Sequence, residues 1–159
     1  MKRILALSIL AFAGAAAAGV AFAGPGNHGH GPKRQGKVIH VIEHASTDTV
    51  SNRGEGTGAD RAGDILTFAN DVFDAKNTTK VGSDQGYCVR VVVGQSWECN
   101  WTTFLPAGQI TVEGPFYDTK NSVVAVTGGT GAYSHARGWM QLNSLSGGTQ
   151  FDFIFHVTP

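Results

Sequence analysis

Charge and cysteine are both scarce in this chain, and each scarcity removes a class of function. Only 15% of the 159 residues are charged, 12 basic against 12 acidic. No basic face is therefore available for nucleic acid or an anionic membrane surface, and neither is expected as a partner. There are 2 cysteines, and no Cys/His spacing, His-rich zinc motif or Ser/His/Asp arrangement stands out. After residue 23 no segment is apolar for long enough to cross a membrane. Helix caps are rare as well, whereas β-branched and aromatic residues cluster in short runs. The class is all-β.

What is present begins with an export pattern. Lys2 and Arg3 precede an apolar run from Ile4 to Val20, followed by Ala21-Phe22-Ala23 as a small-x-small site. This is the layout of a secretory signal peptide, residues 1–23, cleaved after Ala23; the competing reading is an uncleaved anchor. Abundant Ala and Gly make the run only mildly hydrophobic, which favours cleavage, a secreted protein and no membrane contact afterwards. Loss of Lys2 and Arg3 tips the remaining chain slightly acidic. Residues 24–36 lack periodicity and read as a disordered leader. His28 and His30 within it are solvated polar residues rather than ligands, since nothing fixes a further ligand nearby. Residues 37–159 then form one domain around one core.

Alternation and turn signals give eight strands: Val38–Ser46, Ile65–Asp74, Gly86–Val93, Trp97–Leu105, Gln109–Tyr117, Ser122–Thr127, Gly138–Leu145 and Thr149–Thr158. Short connections favour antiparallel neighbours, and eight such strands most economically close into a barrel, with a two-sheet sandwich as the alternative. The exception is the long polar connection from Thr47 to Gly63, which is either disordered or a functional rim. Thr127-Gly128-Gly129-Thr130-Gly131-Ala132-Tyr133 lies between two strands. It lacks the Lys-Ser/Thr pair of a P-loop and no helix follows it, so it reads as a tight structural corner. Cys88 and Cys99 sit on adjacent strands, and a hairpin pivoting near Val93 and Gly94 places them opposite each other. A disulfide there would contribute about 3 kcal/mol in the chain-entropy model. The alternative is a reactive thiol at Cys88.

Two charged residues fall on apolar faces. In the first strand Glu43 is in line with Ile39, Val41 and Ala45; a carboxyl buried there would have a raised pKa and could act as acid or base near neutral pH. The alternative places Glu43 at a wet rim. Arg90 shares a face with Cys88 and Val92. The partner strand presents Trp97, Cys99, Trp101, Thr103 and Leu105 together, so a bridge would turn Arg90 inward, where it needs a counter-charge, with Glu43 the obvious candidate. The rival assignment leaves Arg90 in solvent. Asn70 is in line with Leu66, Phe68 and Val72, and Asp71 with Thr67 and Phe73, so either side could face the interior. Asp118 and Lys120 are turn residues. His156 lies opposite the Phe151, Phe153 and Phe155 face, on the wetter side.

Several motifs in order resemble the allene oxide cyclase family: Gly63-Asp64-Ile65-Leu66 through Phe68-Ala69-Asn70, then Val81-Gly82, Gly86-Tyr87-Cys88-Val89, Gly108 to Phe116, and the Gly128-Gly129-Thr130-Gly131 corner. The related dirigent proteins share chiefly that corner. The resemblance implies an eight-stranded antiparallel barrel with an apolar cavity, a possible homotrimer, no metal or cofactor, and a cyclase or isomerase acting on a small hydrophobic reactive ligand. The alternative, from a different class of function, is a non-catalytic dirigent-like or lipocalin-like carrier of a hydrophobic small molecule. In the plant cyclases a first-strand glutamate steers an unstable epoxide, and Glu43 falls on that motif. Cys88 falls on a cavity cysteine and Phe116 on an aromatic lining position. Ala45 stands where the plant motif has an asparagine, and Arg90 where an aliphatic residue is usual. The candidate catalytic residues are thus Glu43 and Arg90, with Val41, Phe68, Asn70, Cys88, Trp97, Trp101 and Phe116 around the ligand.

Overall fold

The computed structural model describes residues 36–51 and 60–158. The signal segment, the leader with His28 and His30, and the Gly54–Gly58 stretch lie outside the described residues. Ten strands run β1 Lys37–His44, β2 Thr49–Ser51, β3 Ile65–Phe68, β4 Asp71–Asp74, β5 Lys80–Val92, β6 Ser96–Leu105, β7 Gly108–Tyr117, β8 Ser122–Gly129, β9 Arg137–Leu145 and β10 Gln150–Thr158. All pair antiparallel. β5 to β10 follow one another, β10 pairs β1, β1 pairs β4 and β4 pairs β5, which closes the cylinder. β3 continues β4 along β5, and β2 continues β1 along β3, so ten strands make a closed eight-stranded barrel. Closure leaves no long edge unpaired, and the sandwich alternative is excluded. No helix among the described residues is long and apolar enough to cross a membrane.

The break between β3 and β4 falls at Ala69 and Asn70, where one unbroken strand was expected. Thr47 replaces the lost ladder bonds: its Oγ1 donates to Ala69 O at 3.1 Å and accepts from Ala69 N at 2.8 Å. Polar backbone atoms at a break must find such partners. β5 also starts earlier than expected, at Lys80 rather than Gly86, because Gly82 to Gln85 pair with β4 and β6 despite their turn-like composition.

Alternation sets what fills the barrel. Ile39, Val41 and Glu43 of β1 face Phe155, Phe153 and Phe151 of β10. Ile110, Val112, Val124, Val126 and Met140 pack one part of the interior. Tyr133 and Ala136, from the corner after β8, are buried in the same core beside Val157. The corner's amides are already committed, Thr130 N to Gln109 O at 2.9 Å and Ala132 N to Ala107 O at 2.8 Å. Gly131, at φ +60, has no room for a Cβ, which would lie 2.6 Å from Ala107 O. The glycine stretch is a packed corner.

Candidate functional site

At the other end the barrel is hollow. An internal cavity of about 110 Å³ lies among Phe68, Trp101, Phe116, Phe151 and Phe153, with Leu66 and Leu142 completing its apolar wall. With its mouth included, about 500 Å³ is free of protein atoms. The Cys88–Cys99 disulfide forms part of the wall, joining two residues directly opposite in the β5–β6 ladder. The rings are not stacked on one another: Phe116 and Phe151 meet edge to face at 5.6 Å, and Trp101 and Phe153 are tilted by 44° at 5.8 Å. The void is boxed by these rings on several sides.

Glu43 and Asp48 supply the polar part of the lining. Glu43 is only 5% exposed. Its Oε1 accepts from Asn70 Nδ2 at 2.7 Å, and the same amide donates to Asp48 Oδ1 at 2.8 Å. The carbonyl oxygen of Asn70 in turn accepts from Ser46 N and Thr47 N at 3.0 and 2.9 Å, and it shares the single Thr47 Oγ1 proton, at 2.9 Å, with Ala69 O. Every polar atom of that amide is used, so Asn70 is fixed and fixes Glu43. Behind them lies Asp84, 2% exposed. Its Oδ1 accepts from Asn70 N at 3.3 Å, while its Oδ2 meets no donor. Burial first, then the charge of Glu43, raises the Asp84 pKa to about 9. Burial also raises Glu43, to about 7, with the hydrogen bond from Asn70 pulling the other way. Buried close together, the two carboxyls resist both being ionised at once, so one proton is held between them. The pair titrates as a unit. Such a site can accept or donate a proton near neutral pH.

Arg90 is buried, 8% exposed, but its counter-charges are not Glu43. Nε binds Asp60 Oδ1 at 2.8 Å and Nη1 binds Asp118 Oδ2 at 2.7 Å, with the guanidinium 3.9 Å from the centre of the Trp97 ring. Asp60 Oδ2 also accepts from Gly94 N at 3.0 Å. Arg90 therefore clasps the β2–β3, β5–β6 and β7–β8 connections together, and neither it nor Trp97 lines the cavity. The counter-charge expected from Glu43 comes instead from two aspartates on loops, whose positions strand alternation does not encode.

Of the other expected lining residues, Phe68, Cys88, Trp101 and Phe116 are in the wall. Val41 is buried in the packed core and Asn70 behind Glu43. Sequence reasoning missed Asp84 as a site residue, because the strand carrying it was started at Gly86. It also left Phe151 and Phe153 unassigned to the site, although their alternation marks them as inward. His156 stacks on Trp139 at 3.8 Å on the outer face, away from the cavity. Among the described residues no group of three His, Cys, Asp or Glu side chains converges to hold a metal.

A family profile described as "Allene oxide cyclase" matches residues 37–158. The chain belongs to the allene oxide cyclase family. Solved structures similar to this family member share its barrel. One is a pyocyanin demethylase, 20% identical with TM-score 0.63, aligned over 75% of this chain and 100% of its own. Another is the pterocarpan synthase dirigent protein PsPTS1, 15% identical with TM-score 0.66, over 80% and 97%. A third is AbnU, an exo-specific intermolecular Diels–Alderase, 11% identical with TM-score 0.60, over 79% and 99%. At these identities the likeness is one of fold. A shared fold leaves the activity to be argued from the site itself.

Proposed function

We propose that this protein is an exported isomerase or cyclase that takes a small hydrophobic, reactive ligand into the barrel and rearranges it beside Glu43. The observation that supports this best is a carboxyl with a pKa raised to about 7 at the end of an aromatic-walled cavity. A group poised there is present in both protonation states at physiological pH, and proton transfer from such a group contributes about 10²–10⁴ in rate. The apolar wall adds confinement and orientation. In this reading Arg90 shapes the mouth and does not touch the ligand. Similar barrels named as a demethylase, a pterocarpan synthase and a Diels–Alderase support a small-molecule cavity. Export is supported by the disulfide and by the N-terminal signal pattern. A homotrimer, implied by family resemblance, is testable by sedimentation.

A second reading is a non-catalytic dirigent-like or lipocalin-like carrier. It is favoured by the bridge at Cys88, which takes up a thiol that could otherwise act in the cavity. Extraction of small molecules from the purified protein, identified by mass spectrometry, provides the compound for a direct comparison. With an enzyme, Glu43→Gln keeps binding and loses about 10²–10⁴ in turnover. A carrier shows altered affinity and no turnover in either form, and that result would reject the isomerase reading.

A further inference from the structure

Resting on the reading that the cavity receives a small apolar ligand, we propose that it selects planar aromatic cations over neutral or anionic molecules of the same shape. The wall offers five aromatic rings at mutual angles, so faces as well as edges bound the void. A cation over such a face is attracted by the ring quadrupole, more strongly when water is excluded. The lining contains the carboxyls of Glu43 and Asp48 and no Lys, Arg or His.

Three cations near the cavity among the described residues are already engaged. Arg90 is held by Asp60, Asp118 and the Trp97 face. Lys120, in the outer vestibule that shares Phe116, Leu142 and Phe151 with the cavity, sits 4.1 Å above the Tyr117 ring. His44 faces outward, bonded to Asn77 and stacked on Phe73. The inner end therefore becomes more negative as Glu43 ionises, which favours a cation and disfavours a carboxylate-bearing ligand. A metal ion is the poorer occupant: one Asn70 amide already bonds both Glu43 and Asp48, and no three ligand side chains converge.

Charge selection couples to pH. The groups acting on Glu43 are Asp48, Asp84 and the Asn70 amide, while β10 and β4 oppose it with Phe151 and Val72. A bound cation favours ionised Glu43, so cation affinity rises as pH climbs through about 7 and binding releases a proton.

The test uses the full chain and three probes of one shape: N-methylquinolinium, 1-methylnaphthalene and 1-naphthoate. Binding is read by tryptophan fluorescence and calorimetry. At about pH 8 the quinolinium is expected to bind about tenfold tighter than the neutral naphthalene, with 1-naphthoate weakest. That preference should shrink to about threefold or less at about pH 5.5, and likewise in Glu43→Gln. The neutral probe should bind alike throughout, which also shows that the variant folds. Equal or tighter binding of 1-naphthoate overturns charge selection while leaving the ligand cavity intact. So does a cation preference that neither pH nor Glu43→Gln moves. Failure of all three probes to bind overturns both this inference and the ligand cavity itself.

Discussion

An acid taken out of water resists ionisation, and at Asp84 the neighbouring Glu43 charge adds to that resistance. The consequence for stability has a definite sign. The folded pKa values, about 9 for Asp84 and about 7 for Glu43, lie above the ordinary values of 3.8 and 4.5. Between these limits the folded chain holds protons that the unfolded chain has released. Stability is thus fully present below the ordinary carboxylate range and falls as pH rises through about 9. Urea unfolding of the oxidised protein should show a midpoint that declines from about pH 5 to about pH 9, and a flatter profile for Asp84→Asn. A wild-type profile as flat as that of the variant would remove the shared-proton description. Asn70 acts at the same scale without titrating, since its five side-chain hydrogen bonds leave Glu43 one place to be.

Between elements, β5 crosses tightly under Trp101 of β6. Gly86 pairs directly with Trp101, and a Cβ there would lie 2.3 Å from the Trp101 Cβ and 2.5 Å from Asn100 O. Gly86→Ala must therefore push the indole into the cavity or spread the two strands. It should cost about 3 kcal/mol or more in denaturant unfolding, at the upper end of overpacking. Gly128→Ala, whose nearest neighbour is Arg137 Nη1 at 4.0 Å, serves as the control and should stay close to wild type. Equal stability of the two variants would contradict the tight crossing. Much at this scale was legible beforehand. The Cys88–Cys99 pairing followed from the hairpin pivot, and the inward face of β6 from its aromatics. The interruption at Ala69 and Asn70 was not legible, because Leu66, Phe68, Asn70 and Val72 keep perfect alternation through it and the stitch comes from Thr47, distant in sequence. Asp84 hid for a related reason: Gly82-Ser83-Asp84-Gln85-Gly86 has turn chemistry, and only pairing on both sides makes it a strand.

Across the whole molecule, the two ends of the barrel are built for different tasks. One is sealed by Tyr133 and Ala136, and the other holds the void, its connections tied by Arg90. The barrel class was readable from the strand pattern. Alternation put Glu43 in line with the apolar face of the first strand while leaving a wet rim open, a choice that only the closed barrel decides. The partners of Arg90 were not, since Asp60 and Asp118 reach it from loops that obey no period. The sulfur–sulfur bond is itself part of the hollow's wall, and both cysteines are only 3% exposed. A soluble reductant must therefore come in by the same door as the guest. An occupied barrel should shelter its own staple: saturating N-methylquinolinium ought to slow thiol release by phosphine at least several-fold, in proportion to occupancy. Unchanged release kinetics would mean that the bond is reached by another route, such as opening of the wall. If the shelter holds, the tenant and the clamp that keeps its room in shape protect one another.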